Sequence, residues 1–105
     1  MESNNYSKVI NLKDSLNIQE DSIVSRVLLK NGDESITLFA FSKDQHISAH
    51  TAPVDAMVQV IEGELEIIID QDKFDLKQND SMIMPANVPH ALTAKTDMKM
   101  LLVKM

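Results

Sequence analysis

The 105-residue chain contains no cysteine and no tryptophan, and it has only two glycines, three prolines and four aromatic residues. The absence of cysteine excludes disulfides, zinc sites with thiolate ligands and a cysteine nucleophile. No window approaches the roughly 20 consecutive apolar residues of a membrane-spanning helix. With 44% hydrophobic and 25% charged residues, the length fits one folded domain, with enough aliphatic side chains for a core.

Basic charge is also scarce. Ten Lys and Arg residues stand against sixteen Asp and Glu residues, which gives a formal net charge of −6. The basic residues are scattered among acids, so we expect neither nucleic acid nor an anionic membrane as a partner. The segment Met1–Lys8 is polar, has no apolar stretch and predicts no signal peptide, so the expected location is the cytoplasm.

Apolar residues recur with a period of two rather than 3.6, which is typical of strands. Leu65, Ile67 and Ile69 alternate with other residues, whereas the run from 36 to 41 is apolar on both faces. Further short apolar runs cover residues 56–61, 81–84, 91–94 and 98–103. Only a single helical turn near Leu12–Leu16 is predicted. The pattern indicates an all-β protein.

Turn residues separate these runs about every ten positions, as in an antiparallel sandwich or small barrel. Asn31-Gly32-Asp33 predicts a hairpin between segments 23–30 and 35–42. Because glycine is rare, we expect Asn31, Asn79 and Asn87 to adopt positive φ at other turns. The segment Pro85-Ala86-Asn87-Val88-Pro89 forms a stiff connector that ends at His90, at the start of the next strand.

The candidate residues for a functional site begin with three histidines, because the sequence contains no phosphate loop and no nucleophile elbow. His46 and His50 would lie about 13 Å apart on one extended strand, too far apart to share an ion. We therefore interpret His46 as a surface or rim residue. The acidic residues between 62 and 75 are interpreted as a solvated face. Nothing in the spacing alone joins His50 to His90.

A resemblance to a known protein family predicts that His50 and His90 belong to one site. The segment 50–64 resembles the first motif of the cupin family, with His50 at its first histidine and Gly63 at its closing glycine. The segment 79–90 resembles the second motif, through Pro85 and His90. The resemblance covers about residues 22–105 and implies a double-stranded antiparallel jelly-roll β-barrel. Residues 1–21 are then expected to form an N-terminal arm or edge strand.

The motifs are degenerate. Ala52 stands at the second histidine position, Ala56 or Met57 at the glutamate position, and Ala94 at the final asparagine. Of the usual four metal ligands of the family, only His50 and His90 remain. Asp44, Asn79 and Asn87 replace glycines at turns.

Asp55 and Gln59 are the candidates to complete a site, as oxygen ligands or cofactor-binding residues. The resemblance implies one divalent ion (Zn, Fe, Mn or Ni), held by His50 and His90, or a relic pocket in which these two rings only form hydrogen bonds. Met57, Met82 and Met84 flank the motifs, and core packing is favoured over a role as ligand-binding side chains.

Three functions stay open at this point. The first is a small cupin that holds a small molecule, a divalent metal ion or both in a barrel pocket. The second is a metal-dependent enzyme of the dioxygenase, isomerase or decarboxylase type. The third is a structural or regulatory protein whose pocket is a relic. Excess apolar residues between positions 6 and 30 favour a homodimer.

Overall fold

The computed structural model describes residues 5–105, and nine β-strands account for its regular structure. In chain order they are β1 (Ile23–Asn31), β2 (Glu34–Phe41), β3 (His46–His50), β4 (Ala56–Glu62), β5 (Leu65–Ile69), β6 (Asp72–Leu76), β7 (Ser81–Met84), β8 (His90–Ala94) and β9 (Met98–Lys104). The predicted all-β class is confirmed. Within residues 5–105 no helix is long and apolar enough to cross a membrane.

The strands form two antiparallel sheets. The larger has the order β1-β2-β9-β4-β7, and the smaller has the order β3-β8-β5-β6. Strands distant in sequence are neighbours, since β4 pairs with β9 and β3 pairs with β8. This double-layered arrangement is the expected antiparallel jelly roll. It brings chain segments forty residues apart to one end of the barrel.

The core lies between the sheets and follows the strand alternation. Along β4, Ala56, Val58 and Val60 are buried, whereas the residues between them are only half-buried. Phe41, Leu65, Ile67, Met98 and Met100 join them in the same cluster. Because successive side chains point to opposite faces of a strand, the parity of a position decides whether it enters the core.

Two of the three asparagines predicted to adopt left-handed backbone do so. Asn79 (φ 75°) and Asn87 (φ 64°) are confirmed as positive-φ residues, and Asp44 (φ 74°) adopts the same conformation. The prediction for Asn31 is wrong. In the β1–β2 hairpin Gly32 takes the positive φ of 64° instead, because glycine has no Cβ to strain there. Asn31 remains the last residue of β1.

Residues 5–22 precede the first strand and contain turns but no strand. The turn near Leu12 is a single one, closed by a hydrogen bond from the Ser15 amide to the Leu12 carbonyl at 3.3 Å. The arm docks on the larger sheet, because Lys99 Nζ donates to the Lys13 carbonyl at 2.5 Å. Residues 1–4 of the predicted 1–21 arm lie outside the described residues.

Candidate functional site

One end of the barrel holds a cavity of about 290 Å³ between the two sheets. Its size is near the lower limit for small-molecule sites. Most of its wall is hydrocarbon, and the polar side chains are few. The wall consists of Phe39, Ile47, His50, Thr51, Ala52, Pro53, Ala56, Met84, His90, Leu92, Met100, Leu102 and Lys104.

The two motif histidines meet in this wall. His50 is the last residue of β3 and His90 is the first residue of β8, and their Cα atoms are direct cross-strand partners. Their ring centroids lie 4.3 Å apart in an edge-to-face arrangement with an interplanar angle of 64°. The sheet pairing therefore brings together the two rings that the sequence resemblance joined.

The rings differ in exposure but share one hydrogen-bonding mode. His90 is 7% exposed, whereas His50 is exposed at the mouth of the cavity. Nδ1 of His50 donates to the Ser48 carbonyl at 2.9 Å, and Nδ1 of His90 donates to the Val88 carbonyl at 3.3 Å. A carbonyl oxygen can only accept, so the proton of each neutral ring sits on Nδ1. Each Nε2 then carries a free lone pair.

The environment of His90 favours its neutral form. Burial lowers the pKa of His90 below its ordinary value of 6.5, and electrostatic repulsion from the nearby His50 and Lys104 side chains lowers it further. The hydrogen bond to Val88 acts in the opposite direction but is outweighed. At neutral pH His90 is therefore an uncharged imidazole whose Nε2 accepts hydrogen bonds.

Lys104 is a cavity residue that the sequence analysis missed. It continues the inward-facing series of Met100 and Leu102 along β9, and its Cα pairs with Ser35 on one side and Ala56 on the other. The apolar run in the sequence ends at residue 103 and does not include Lys104. The sequence also does not reveal which face of β9 is inside, so only the barrel closure identifies Lys104 as part of the wall.

Asp55 and Gln59 lie away from the histidines. Asp55 immediately precedes β4, and its Oδ1 accepts the Ala86 amide at 2.8 Å, which fastens the β7–β8 connection. Gln59 pairs with Ser81 and Leu101, on the face of β4 opposite to its buried residues. Neither residue lines the cavity. Binding of a metal ion or a cofactor by Asp55 and Gln59 stays a prediction.

His46 and the three motif methionines differ in their positions relative to the cavity. His46 is exposed at the start of β3 and does not belong to the cavity wall. Met84 is buried and lines the cavity, while Met82 packs against the core. Met57 lies on the outer face of β4, opposite to the buried Ala56.

The divalent ion that the family resemblance implies would have to be held by the nitrogen and oxygen atoms of this cavity. Two free Nε2 atoms with Nδ1 bound to carbonyls match the usual outer-shell bonding of metal-binding histidines. A catalytic ion usually has three protein ligands, and within residues 5–105 no three His, Cys, Asp or Glu side chains are grouped to hold one. The other polar side chains of the wall are the Thr51 hydroxyl and the cation Lys104. These residues do not fit a resident divalent ion, and metal ligation by His50 and His90 stays a prediction.

Comparison with known proteins gives the family. A model of the cupin domain matches residues 37–104. A conserved protein of unknown function from Streptococcus pyogenes is 38% identical, with a TM-score of 0.92 over 100% of this chain and 94% of that one. A cupin superfamily protein from Desulfitobacterium hafniense is 26% identical, with a TM-score of 0.89 over 94% and 91% of the two chains.

A cupin 2 conserved barrel domain protein from Leptotrichia buccalis is 37% identical, with a TM-score of 0.87 over 91% of this chain and 47% of that one. A search of curated proteins found no match. The domain model covers more than half of the chain, and the paired strands place its two motif histidines side by side. The chain therefore belongs to the cupin domain family.

Proposed function

We propose that this protein holds a small, largely apolar molecule in the barrel cavity, with the polar end of the molecule against His50 and His90. The observation that carries the proposal is a 290 Å³ space with mostly hydrocarbon walls, on which two imidazoles converge. Pockets of this kind, with few polar groups in an apolar wall, are the usual form of small-molecule sites. The volume allows a ligand of roughly ten non-hydrogen atoms, at ~30 Å³ for each water-sized group.

A fragment library screened by NMR tests the proposal directly. Ligands of this size are expected to shift the amide signals of β3, β8 and β9, which surround the cavity. Ala56 is 6% exposed and faces the cavity, so Ala56→Leu fills part of the space and should abolish these shifts. Ala91 lies on the opposite face of β8 from His90, and Ala91→Leu adds the same volume outside the cavity.

The proposal fails if no compound binds in the cavity, or if the hits bind Ala56→Leu and Ala91→Leu equally well. Folding of both variants is checked by their thermal unfolding transitions. His46→Ala is a second control, because it removes an exposed imidazole that does not line the cavity.

The competing function is a metal-dependent enzyme, and the two free Nε2 atoms are what favour it. Elemental analysis after loading with zinc, iron, manganese or nickel, with a chelator control, separates the two functions. The incomplete donor set predicts no stoichiometric ion. One ion per chain that is lost in His90→Ala would instead support the enzyme.

We also propose that the chain forms a homodimer through the outer face of the larger sheet. Ile83 is 68% exposed, and it continues a row of cross-strand partners through Met57, Val103 and Ile36. An apolar row that crosses four strands suits a two-fold interface, in which one patch meets its own copy. Light scattering should give a mass of two chains for the wild type and of one chain for Ile83→Lys. A monomeric wild type would contradict the proposal.

A further inference from the structure

Lys104 is the only charged side chain in the wall of the cavity apart from the titratable imidazoles. Across residues 5–105, the ion pairs join Lys73 to Glu66, Lys95 to Asp75 and Lys99 to Glu62, and Lys104 takes part in none of them. The chain as a whole has a net charge of −6, so acids are plentiful elsewhere. The half-buried end of β9 therefore carries a cation that forms no ion pair with a carboxylate of the described chain.

An unpaired ammonium against apolar walls is costly unless an anion or water neutralises and solvates it. A ligand carboxylate would supply that anion, and its hydrogen bond to an ammonium is stronger than one between neutral groups. Lys104 is thus suited to select an anionic molecule over a neutral one of the same shape.

The imidazoles would bind a different group of the ligand from the carboxylate that Lys104 binds. Since Nδ1 of His50 and Nδ1 of His90 each donate to a backbone carbonyl, each ring in its neutral form offers a ligand only an acceptor, Nε2. A carboxylate has no proton to give them, whereas a hydroxyl group has one. Beside the Thr51 hydroxyl, which can donate or accept, the polar side chains of the cavity therefore offer one cationic donor and, when the rings are neutral, two acceptors.

From this combination we propose that the cavity binds a small aliphatic 2-hydroxy carboxylate, with its carboxylate on Lys104, its hydroxyl donating to a histidine Nε2 and its hydrocarbon chain against the apolar walls. The inference rests on the proposed ligand cavity and adds the chemical class of the ligand. The adjacent carboxylate and hydroxyl of such an acid match the grouping of Lys104 with the two rings. The aliphatic wall residues Ile47, Leu92 and Leu102 accommodate a branched chain.

Three probes with one carbon skeleton test the inference by calorimetry. α-Hydroxyisocaproate has both polar groups, isocaproate lacks the hydroxyl, and α-hydroxyisocaproamide lacks the charge. The hydroxy acid should bind roughly tenfold or more tightly than the amide, and roughly fivefold more tightly than isocaproate. Equal affinity for the acid and the amide would overturn the inference, and so would absence of binding of the hydroxy acid.

Variants of Lys104 assign the effect to this residue. Lys104→Met should weaken binding of the hydroxy acid roughly tenfold or more and leave the amide unchanged, while Lys104→Arg should retain most of the affinity. Lys77→Gln is the matched control, because it removes one exposed lysine that takes part in no ion pair. If Lys104→Met does not fold, Lys104→Gln replaces it. An unchanged affinity in the folded variant would refute the assignment.

The outcomes separate this inference from the ligand cavity itself. Suppose that neutral library compounds bind in the cavity and the hydroxy acid does not. This result would overturn the proposal of an anionic ligand and leave the proposal of a ligand cavity intact. A library without any cavity ligand would overturn both.

Discussion

The sharpest test of the fold concerns Gly63, in the tight turn between β4 and β5. Its backbone adopts a φ of 86°, and a Cβ built there would lie 2.7 Å from Met98 Cβ and 2.8 Å from Thr96 Oγ1, and closer still to the Asp97 carbonyl. These neighbours cannot easily move. Met98 is fully buried, and the Glu64 amide donates to Thr96 Oγ1 at 3.1 Å.

Gly32 is a natural control for Gly63. It has a φ of 64° in the β1–β2 hairpin, but a Cβ added there would meet nothing within 4 Å. Both Gly→Ala changes suffer the left-handed strain of about 1–2 kcal/mol, reduced by about 0.4–1 kcal/mol from the lower entropy of the unfolded chain. Only Gly63→Ala adds an overpacking cost of about 1–3 kcal/mol.

We therefore expect Gly32→Ala to lower the free energy of unfolding by about 0.5–1 kcal/mol and Gly63→Ala to lower it by about 2–4 kcal/mol. Urea denaturation followed by circular dichroism measures both. The midpoint should fall by about 1–2 M for Gly63→Ala at the slope usual for small domains. Two variants that differ by less than about 0.5 kcal/mol would refute the close packing of this turn against the β8–β9 connection.

Three further predictions concern single side chains. Burial lowers the pKa of His90, so as the pH falls below 6.5 the unfolded chain takes up a proton before the folded chain does, and the free energy of unfolding should decrease. The urea midpoint of the wild type should therefore fall more steeply with decreasing pH than that of His90→Asn. Parallel curves for the two proteins would contradict this. Asp55→Ala removes the acceptor of the Ala86 amide and should lower the free energy of unfolding by about 0.5–1.5 kcal/mol in urea denaturation. Asp55→Asn keeps an acceptor oxygen and should lose less, and equal stability of the wild type and Asp55→Ala would contradict the role of this bond. Lys99→Met removes the hydrogen bond to the Lys13 carbonyl and should speed hydrogen exchange or proteolysis within residues 5–22. Unchanged protection of this segment would show that the arm docks without that hydrogen bond.

Most of the fold could be read from alternation and turns. Gly32 placed the first hairpin correctly, and the alternation of Leu65, Ile67 and Ile69 predicted a strand whose first two apolar residues are fully buried. The dihedral angles at Asn79 and Asn87 also followed from residue type, because few other residues tolerate positive φ. These features depend on neighbours along the chain, which the sequence contains.

The site was only partly predictable. The family resemblance linked His50 to His90, and the sheet register makes them direct partners. Asp55 is a candidate because it stands beside the expected glutamate position, and Gln59 because it is polar within an apolar strand. The structure places Asp55 on the Ala86 amide and Gln59 on the outer face of β4. Lys104 could not be predicted, because lysine is usually solvated and nothing in the sequence distinguishes it from the exposed lysines.

The sequence by itself determined the strands and turns, because these depend on local geometry. It also determined the pair of histidines, because His50 and His90 stand at the histidine positions of two recognisable motifs. Only the tertiary structure decided which face of each strand borders the cavity, and so placed Lys104 beside the imidazoles and Gln59 outside. The physical reason is that alternation fixes the relative orientation of side chains within one strand. Which of the two faces is inside depends on how sheets formed from distant segments close around a common interior.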